Sequence, residues 1–315
     1  MRPASCRKTS LGLALAFAFP CGATPWPRHV IDNSSQGADG IRLADVNADG
    51  LMDITTGWEQ GGKVRAYLNP GHAKVRNAWP AVTVGAAPNV EDAVFADLDG
   101  DGAVDVVTCT EGQTRTVFVH WAPREPGRLL EERAWSTEPI PVTRGKAMWM
   151  FGAPAQLDAR QGIDLAVASK GSKPGEGVIG WLESPAKPRD LAAWRWHPLR
   201  SAGWVMGLEP ADMDGDGDID LVISERFDGE RSGCFWLENP GAGAARQKSW
   251  TEHRIGLKGK DALFFCLSDL DRDGLQDVCV GTHTPGNEAD NALYFLRRLD
   301  ASGQRWEERR IEFPP

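Results

Sequence analysis

The sequence predicts an all-β protein built from repeated four-stranded sheets, because three different segments recur along the chain with the same period. The first is an acidic segment, which reads ADVNADGLMDITTG in its first copy and ADMDGDGDIDLVIS in its fourth. Its five copies start at motif positions Asp45, Asp97, Gln156, Asp212 and Asp269, a period of 52 to 59 residues. Repeats of this length are typical of β-propeller blades.

The second recurring segment opens with tryptophan, as in WPRHVI, WRWHPL, WTEHRI and WEERRI. The third has an aromatic residue, often followed by Leu, before a proline turn, as in VRAYLNPG, VFVHWAPR, VIGWLESP and CFWLENPG. Both alternate β-branched and aromatic residues between turn formers, which is the chemistry of strands. The tryptophan segments begin at Trp26, Trp79, Trp135, Trp194, Trp250 and Trp306.

Each repeat therefore supplies four strands in order. One leads into the acidic loop, one leaves it (DITTG, DVVTC, DLVIS), one ends at the proline turn, and the fourth is the tryptophan strand. We expect residues 24–315 to form one β-propeller of five four-stranded blades, closed into a ring; a larger or incompletely closed ring is the alternative. Six tryptophan segments exceed five acidic loops, so either residues 26–31 or residues 306–311 are surplus, or one of them completes a blade across the chain ends.

The N-terminus has the order of a secretory signal, which we place at residues 1–23. A basic start with Arg2, Arg7 and Lys8 precedes the apolar stretch LGLALAFAF, and small residues follow. The alternative is a lipoprotein anchored through Cys21, although Phe19-Pro20 is a poor match to that signal. The sequence thus predicts a secreted or periplasmic protein.

Charge and cysteine content exclude several classes. The formal net charge is −9, which argues against nucleic acid and anionic membranes as partners. No apolar stretch reaches the length of a transmembrane helix. Cys109, Cys234, Cys266 and Cys279 lack metal-type spacing, and buried thiols are the favoured interpretation. Cys266 and Cys279 flank one hairpin and form the only pair we expect could bond.

The acidic segments predict cation sites. The spacing D-x-D-x-D-G-x-x-D gathers four oxygen ligands around one point, and such hard donors suit Ca²⁺. The EF-hand interpretation fails because the flanks are strands and no Glu stands at the twelfth position. In the third copy Arg160 occupies a ligand position and Gln161 replaces the turn glycine, so we expect no metal between Gln156 and Asp164. Three or four calcium ions are predicted, on Asp45, Asn47, Asp49 and Asp53; on Asp97, Asp99, Asp101 and Asp105; on Asp212, Asp214, Asp216 and Asp220; and on Asp269, Asp271, Asp273 and Asp277.

With these loops and strands, residues 26–311 resemble the FG-GAP/VCBS repeats of bacterial exported proteins and of the integrin α-subunit propeller. Members of that family usually have seven blades. The resemblance implies that calcium is structural and that partners bind the face opposite the acidic loops. The tryptophan and W-L-E-N-P-G segments also resemble the propeller of fungal aldos-2-ulose dehydratases, but we expect no second catalytic domain, which argues against transferring the dehydratase activity.

On that opposite face the repeats differ where their second strands end, and charged residues gather there. We predict a binding module for carbohydrate or an extracellular protein. The alternative is a sugar-active lyase or dehydratase that uses His283 with Glu111 and Glu225. No HExxH, GxSxG or phosphate-binding glycine loop is present, and His29, His197 and His253 repeat in the tryptophan strands as structural residues. The candidate ligand-face residues are Trp58, Glu59, Glu111, Lys170, Trp204, Glu225, Arg226 and His283.

Overall fold

The computed structural model describes residues 26–160, 162–241 and 243–312, and these residues form antiparallel β-sheet. Within them, twenty strands make five consecutive four-stranded units, so the all-β prediction is confirmed. The predicted signal peptide (residues 1–23), with Cys21, and also Gln161, lie outside the described residues. No helix in the described part of the chain has the length and hydrophobicity needed to cross a membrane.

Each unit pairs its strands in chain order. Unit 1 contains β1 (Ala38–Ala44), β2 (Asp53–Trp58), β3 (Lys63–Tyr67) and β4 (Ala81–Ala86). Unit 2 contains β5 (Val90–Ala96), β6 (Asp105–Thr110), β7 (Val117–Trp121) and β8 (Ser136–Pro139). Unit 3 contains β9 (Met148–Ala155), β10 (Asp164–Lys170), β11 (Gly177–Glu183) and β12 (Arg195–Ala202).

Units 4 and 5 repeat the pattern, and units 3 and 4 share one sheet through a single pairing of Lys170 with Trp204. Short 3-10 helices occur in the connections, at Pro126–Arg128, Glu132–Ala134, Pro141–Thr143, Leu191–Ala193 and Gly229–Arg231. Unit 4 contains β13 (Trp204–Ala211), β14 (Asp220–Arg226), β15 (Gly233–Glu238) and β16 (Thr251–Gly256), and unit 5 contains β17 (Ala262–Ser268), β18 (Asp277–Thr284), β19 (Asn287–Arg298) and β20 (Trp306–Ile311).

The core lies between units rather than within them, because a single sheet cannot bury its own faces. Four hydrophobic clusters fill the interfaces of units 1 and 2, 2 and 3, 3 and 4, and 4 and 5. Strand β6 is buried along its whole length because units pack on both of its faces. Fully buried aromatic side chains, including Trp121, Trp181 and Trp236, anchor these interfaces.

Units 1 and 5 leave one side of the arc uncovered, which we call the open side. Leu43 of β1 is 61% exposed, and Leu270, which follows β17, is 48% exposed. In a closed ring the facing surfaces of units 1 and 5 would be expected to cover such side chains. Closure of the five units into a ring therefore stays a prediction.

The surplus tryptophan segment is the first one. Trp135, Trp194 and Trp250 directly precede β8, β12 and β16, Trp79 lies two residues before the start of β4, and Trp306 opens β20. Residues 26–31 form no strand, although Ile31 accepts a hydrogen bond from the Trp79 backbone. The five remaining indoles share a role that the sequence did not reveal, since each N–H donates to a carbonyl of the preceding turn, at Val75, Leu129, Pro188, Ala245 and Gly303 respectively.

The histidines of the tryptophan strands act in packing. His197 stacks on Trp181 with ring centroids 4.4 Å apart, and its Nε2 lies 2.8 Å from Glu183. His253 stacks on Trp236 in the same way, at 4.3 Å. The structural interpretation of these two histidines is confirmed.

Candidate metal loops and the opposite face

The five acidic segments connect the first and second strands of their units, so they lie on one face of the arc. In unit 4 the carboxylate of Asp212 accepts a hydrogen bond from the Gly217 backbone at 3.1 Å. Gly217 has a φ of 93°, a left-handed conformation that glycine adopts without strain. Asp216 accepts from the Asp218 backbone at 2.9 Å. These bonds wind the loop so that its acidic side chains gather on one point.

Three of the loops bring carboxylates together as the spacing predicts. In each, one oxygen from each of three acids lies within 4.8 Å of the others. Such a donor set fits Ca²⁺, which takes six to eight oxygen ligands from carboxylates, carbonyls and water. In unit 1 an amide oxygen from Asn47 takes the place of one carboxylate. The three groups are Asp97, Asp99 and Asp101; Asp212, Asp214 and Asp220; and Asp269, Asp271 and Asp273.

The loops differ in how arginine offsets their charge. Arg189 contacts Asp99 and Asp101 in the second loop, and Arg297 contacts Asp271 and Asp273 in the fifth. Within the described residues, no arginine or lysine forms an ion pair with the carboxylates of the fourth loop. Burial and the neighbouring acids raise the pKa of Asp214 there. The nearest counter-charge of the fourth loop is Arg298, which donates to the Met213 carbonyl and acts on Asp212, Asp214 and Asp220 without forming an ion pair with them. Of the three loops with grouped carboxylates, the fourth therefore has the weakest offset from arginine within the described residues.

The third loop is closed by hydrogen bonds from the side-chain amide of its own Gln156. Nε2 of Gln156 donates to the carbonyls of Arg160 and Gly162, at 2.7 and 2.6 Å. Asp158 is offset by Arg246, whose Nε lies 3.6 Å away, and by Arg160 at 3.8 Å. Arg160 thus contributes charge as predicted from the sequence, but Gln156 supplies the inward-facing donor. The absence of metal from this loop stays a prediction.

The ninth residue of each motif ties two strands together. Asp220 is 1% exposed, and its two oxygens accept hydrogen bonds from the backbones of Met213 at 2.7 Å and Asn239 at 2.8 Å. Burial raises the pKa of Asp105 and of Asp220 to about 7. A carboxylate oxygen has a second lone pair, so the predicted role as a cation ligand is compatible with these bonds. We call the five residues that make this pair of bonds the staple aspartates: Asp53, Asp105, Asp164, Asp220 and Asp277.

On the opposite face, side chains from four units meet in what we call the inter-unit cluster. Lys170 at the end of β10 contacts Glu111, and its Nζ lies 3.9 Å from Glu91 of β5. Lys170 and Arg226 both lie over the Trp204 ring, at 4.4 and 3.9 Å from its centroid. A Lys ammonium among the carboxylates makes this a charge network rather than a second calcium site. Its members are Glu59, Glu91, Glu111, Lys170, Trp204 and Arg226.

Glu91 is the most perturbed group in the inter-unit cluster. Burial, opposed by the charge of Lys170 and reinforced by Glu111, raises the pKa of Glu91 to about 8. A carboxyl group with a pKa near the working pH, placed beside charged neighbours, is a common mark of a binding or catalytic site.

The raised pKa predicts a pH-dependent stability. Unfolding releases the Glu91 proton above pH 4.5, whereas the folded protein holds it up to about pH 8, so this group lowers stability as pH rises between those values. We expect Glu91→Gln to raise the free energy of unfolding at pH 8 by about 1–2 kcal/mol and to change it little at pH 4.5. Denaturant titrations at both pH values measure this. Equal effects at the two values, or the same gain from the exposed control Glu132→Gln, would contradict it.

A cavity of about 280 Å³ opens between the first strands of units 1, 3, 4 and 5. Phe151, Met206 and Phe264 give it apolar walls. Arg42 lines it as well and forms two 3.2 Å hydrogen bonds with buried Asp92. The inter-unit cluster is electrostatically connected to this cavity, because Asp39 of the cavity wall helps to raise the pKa of Glu91. We call this space the axial cavity.

The structure corrects the assignment of three predicted ligand-face residues: Trp58 and Glu225 are buried, and two cations lie over the ring of Trp204. Trp58 ends β2, is 6% exposed, and donates its indole N–H to Tyr67. Trp204 opens β13 and its ring is engaged by two cations, so neither tryptophan lies in a loop with a free indole face. Glu225 is fully buried and accepts hydrogen bonds from Arg200 and the Gly203 backbone.

The structure does not bring His283 into contact with Glu111 or Glu225, the glutamates predicted to act with it in catalysis. His283 is exposed, and its Nδ1 lies 3.0 Å from Asn291 Oδ1. Among the described residues, His283 forms no hydrogen bond or ion pair with Glu111, Glu225 or Arg226. This arrangement gives a proton-abstracting histidine no carboxylate partner of the predicted kind.

Sequence reasoning missed Glu91, Arg42 and Asp92. Each stands in the first strand of a unit, where the repeat pattern suggested plain strand residues. The available signal was an acidic pair, Glu91-Asp92, inside an otherwise apolar strand. A charged residue in a buried strand needs a partner of opposite charge, so the pair indicated contacts with cationic side chains. In the structure these partners are Arg42 and Lys170.

Residues 45–108 match the family model of the FG-GAP-like repeat. The match spans the acidic loops of units 1 and 2 and the strands between them. No curated protein matches the chain. The protein is therefore an all-β chain that carries an FG-GAP-like repeat.

Proposed function

We propose that this protein is an exported, calcium-stabilised β-propeller that binds a carbohydrate or an extracellular protein through the face opposite the acidic loops. The inter-unit cluster is the observation that carries the proposal. Side chains from four units converge there and are only partly exposed, and Asp39, which helps to raise the pKa of Glu91, also lines the axial cavity. Convergent polar groups beside an apolar recess are typical of ligand sites.

Calcium and export are parts of the same proposal. The grouped carboxylates of the second, fourth and fifth loops support calcium, which would hold each loop and offset its charge. Asp97, Asp212 and Asp269 would each supply the first ligand to the ion of their own loop. The basic and apolar order of residues 1–23 supports export.

The charge of the inter-unit cluster restricts the classes of ligand that can bind there. Three glutamates face two cations, and Asp39 stands nearby, so the site disfavours polyanions such as polyuronates. Because the indoles of Trp58 and Trp204 are engaged, a sugar would be held by hydrogen bonds to charged side chains rather than by stacking. Neutral or amino-bearing glycans, or a basic peptide segment, fit this surface.

Binding assays with defined probes test the proposal. The full chain is applied to arrays of neutral, amino-bearing and uronic-acid oligosaccharides, and to immobilised polylysine and polyglutamate peptides. We expect binding to a neutral or amino-bearing glycan or to polylysine, weakened at least about tenfold by Arg226→Gln or Glu59→Gln. Lys173→Met is the control, because Lys173 is 79% exposed and lies outside the cluster. Preference for the polyanions, no binding to any probe, or equal binding by all variants would overturn it.

A further inference from the structure

Cys266 and Cys279 face each other across the first hairpin of unit 5. They are directly opposed in the antiparallel pairing of β17 with β18. Opposed residues in such a pair have Cα atoms about 4.5–5.5 Å apart, within the range that a disulfide spans. The side chains of the two cysteines lie close enough to interact with each other. The strand pairing therefore already brings the two residues within the range over which a disulfide can form.

The pair is also reachable from solvent, unlike the other two thiols of the described chain. Cys266 is exposed and Cys279 is half-buried, beside a shallow apolar recess of about 330 Å³ formed with Phe295 and Ile311. Cys109 and Cys234 are each 1% exposed. Burial raises the pKa of Cys234 to about 12, which keeps that thiol protonated and unreactive.

We propose that Cys266 and Cys279 form a disulfide by exchange with a low-molecular-weight disulfide such as oxidised glutathione. The exposed Cys266 thiolate attacks one sulfur of the oxidant, and a mixed disulfide forms as one glutathione thiolate leaves. Cys279 then loses its proton and attacks the Cys266 sulfur, which releases the second glutathione thiolate. Two protein thiols are oxidised and one glutathione disulfide is reduced; the two protons that the cysteines lose are taken up, through solvent, by the two glutathione thiolates, which become thiols.

The position of this bond gives it a consequence for the metal loop. Residues 269–277, the whole fifth acidic motif, lie between the two cysteines. The bond would hold the ends of β17 and β18 together on the strand side of that loop. Oxidation and cation binding would therefore stabilise the same hairpin, and the oxidised form would keep its hairpin closed when the cation is withdrawn.

The test uses the full chain, reduced and then incubated with oxidised glutathione. Peptide mapping by mass spectrometry under non-reducing conditions is expected to recover the segments around Cys266 and Cys279 joined, with the mass of two hydrogens lost. Cys109 and Cys234 are expected to remain free thiols. Recovery of Cys266 only as a stable glutathione adduct, or of both thiols free, would overturn the proposal.

Cysteine variants test whether the disulfide forms specifically between Cys266 and Cys279 and does not involve the other two thiols. Cys279→Ser should convert the product into a Cys266–glutathione adduct, whereas a Cys109→Ser, Cys234→Ser double variant should form the same internal bond as the parent. Hydrogen exchange of the β17–β18 amides in a calcium chelator is the second measurement. We expect slower exchange in the oxidised parent than in the reduced parent, and no redox difference in Cys279→Ser. Equal exchange in the two states of the parent would overturn the stabilising consequence.

Discussion

Removing calcium is expected to lower the unfolding temperature of this protein by about 10 °C or more. A bound ion at a thousandfold excess over its dissociation constant contributes about 4 kcal/mol per site, and three or four sites act on one cooperative arc. Chelation would leave three carboxylates within 4.8 Å of each other in each of three loops. Thermal unfolding with and without EGTA, with bound metal counted by elemental analysis, measures both quantities. Three to four ions per chain are expected.

Among the three loops that group carboxylates, the fourth should show the largest effect of calcium, since arginines form ion pairs with the acids of the second and fifth loops but not with those of the fourth. We expect an Asp212→Asn, Asp216→Asn double variant to bind one ion fewer and to lose part of the chelator effect. Gln156→Asn in the third loop is the matched control and should leave the ion count unchanged. An unfolding temperature that EGTA does not alter, together with no bound metal, would show the acidic loops to be turns without a cation.

Asparagine at a staple aspartate is expected to cost about 2–5 kcal/mol of unfolding free energy. The buried carboxylate accepts two backbone hydrogen bonds, and an amide replaces one acceptor with an N–H group that faces a donor. In the third loop Asp164 accepts from the backbones of Leu157 and Ser184, both at 2.9 Å. Chemical denaturation of Asp164→Asn measures the loss.

The third loop allows the effect of the staple hydrogen bonds on stability to be measured without the effect of a bound ion. Because we expect no calcium there, the loss in Asp164→Asn should be the same with and without EGTA. In Asp220→Asn the loss should be larger in calcium than in EGTA, since Asp220 also belongs to a carboxylate group that fits the ion. The exposed Asp190→Asn carries the same chemical change at a surface position. If Asp164→Asn lost no more unfolding free energy than Asp190→Asn, the stabilising role of the staple aspartates would be contradicted.

The repeat made most of the architecture predictable from the sequence. Motif period and strand chemistry placed the five first hairpins, and the tryptophan segments placed the fourth strands. Both signals are local, since they depend on residues a few positions apart. The role of His197 and His253 followed for the same reason, because each repeats at a fixed distance from a tryptophan.

The candidate site was less predictable because it depends on contacts between units. Lys170 reaches Glu111 only through the angle at which units 2 and 3 pack, and no local pattern encodes that angle. Trp58 illustrates the opposite failure. Its position at a strand exit suggested exposure, but Tyr67 on the neighbouring strand covers it and accepts its N–H at 2.9 Å. The sequence also left open whether the ring closes, since five equivalent motifs say nothing about whether the last unit meets the first.

The staple aspartates have an evolutionary consequence. In each unit the ninth acid holds the backbone, whereas the second and fifth loops group their first, third and fifth acids where a cation would bind. A duplicated unit can therefore drift at its ion-binding positions without losing its shape, and the third unit, with Gln156 and Arg160 but an intact Asp164, has that composition. A search of genomes for copies of this repeat that have lost their cation site should give most weight to the ninth aspartate. It should give least weight to the acids at the first, third and fifth positions.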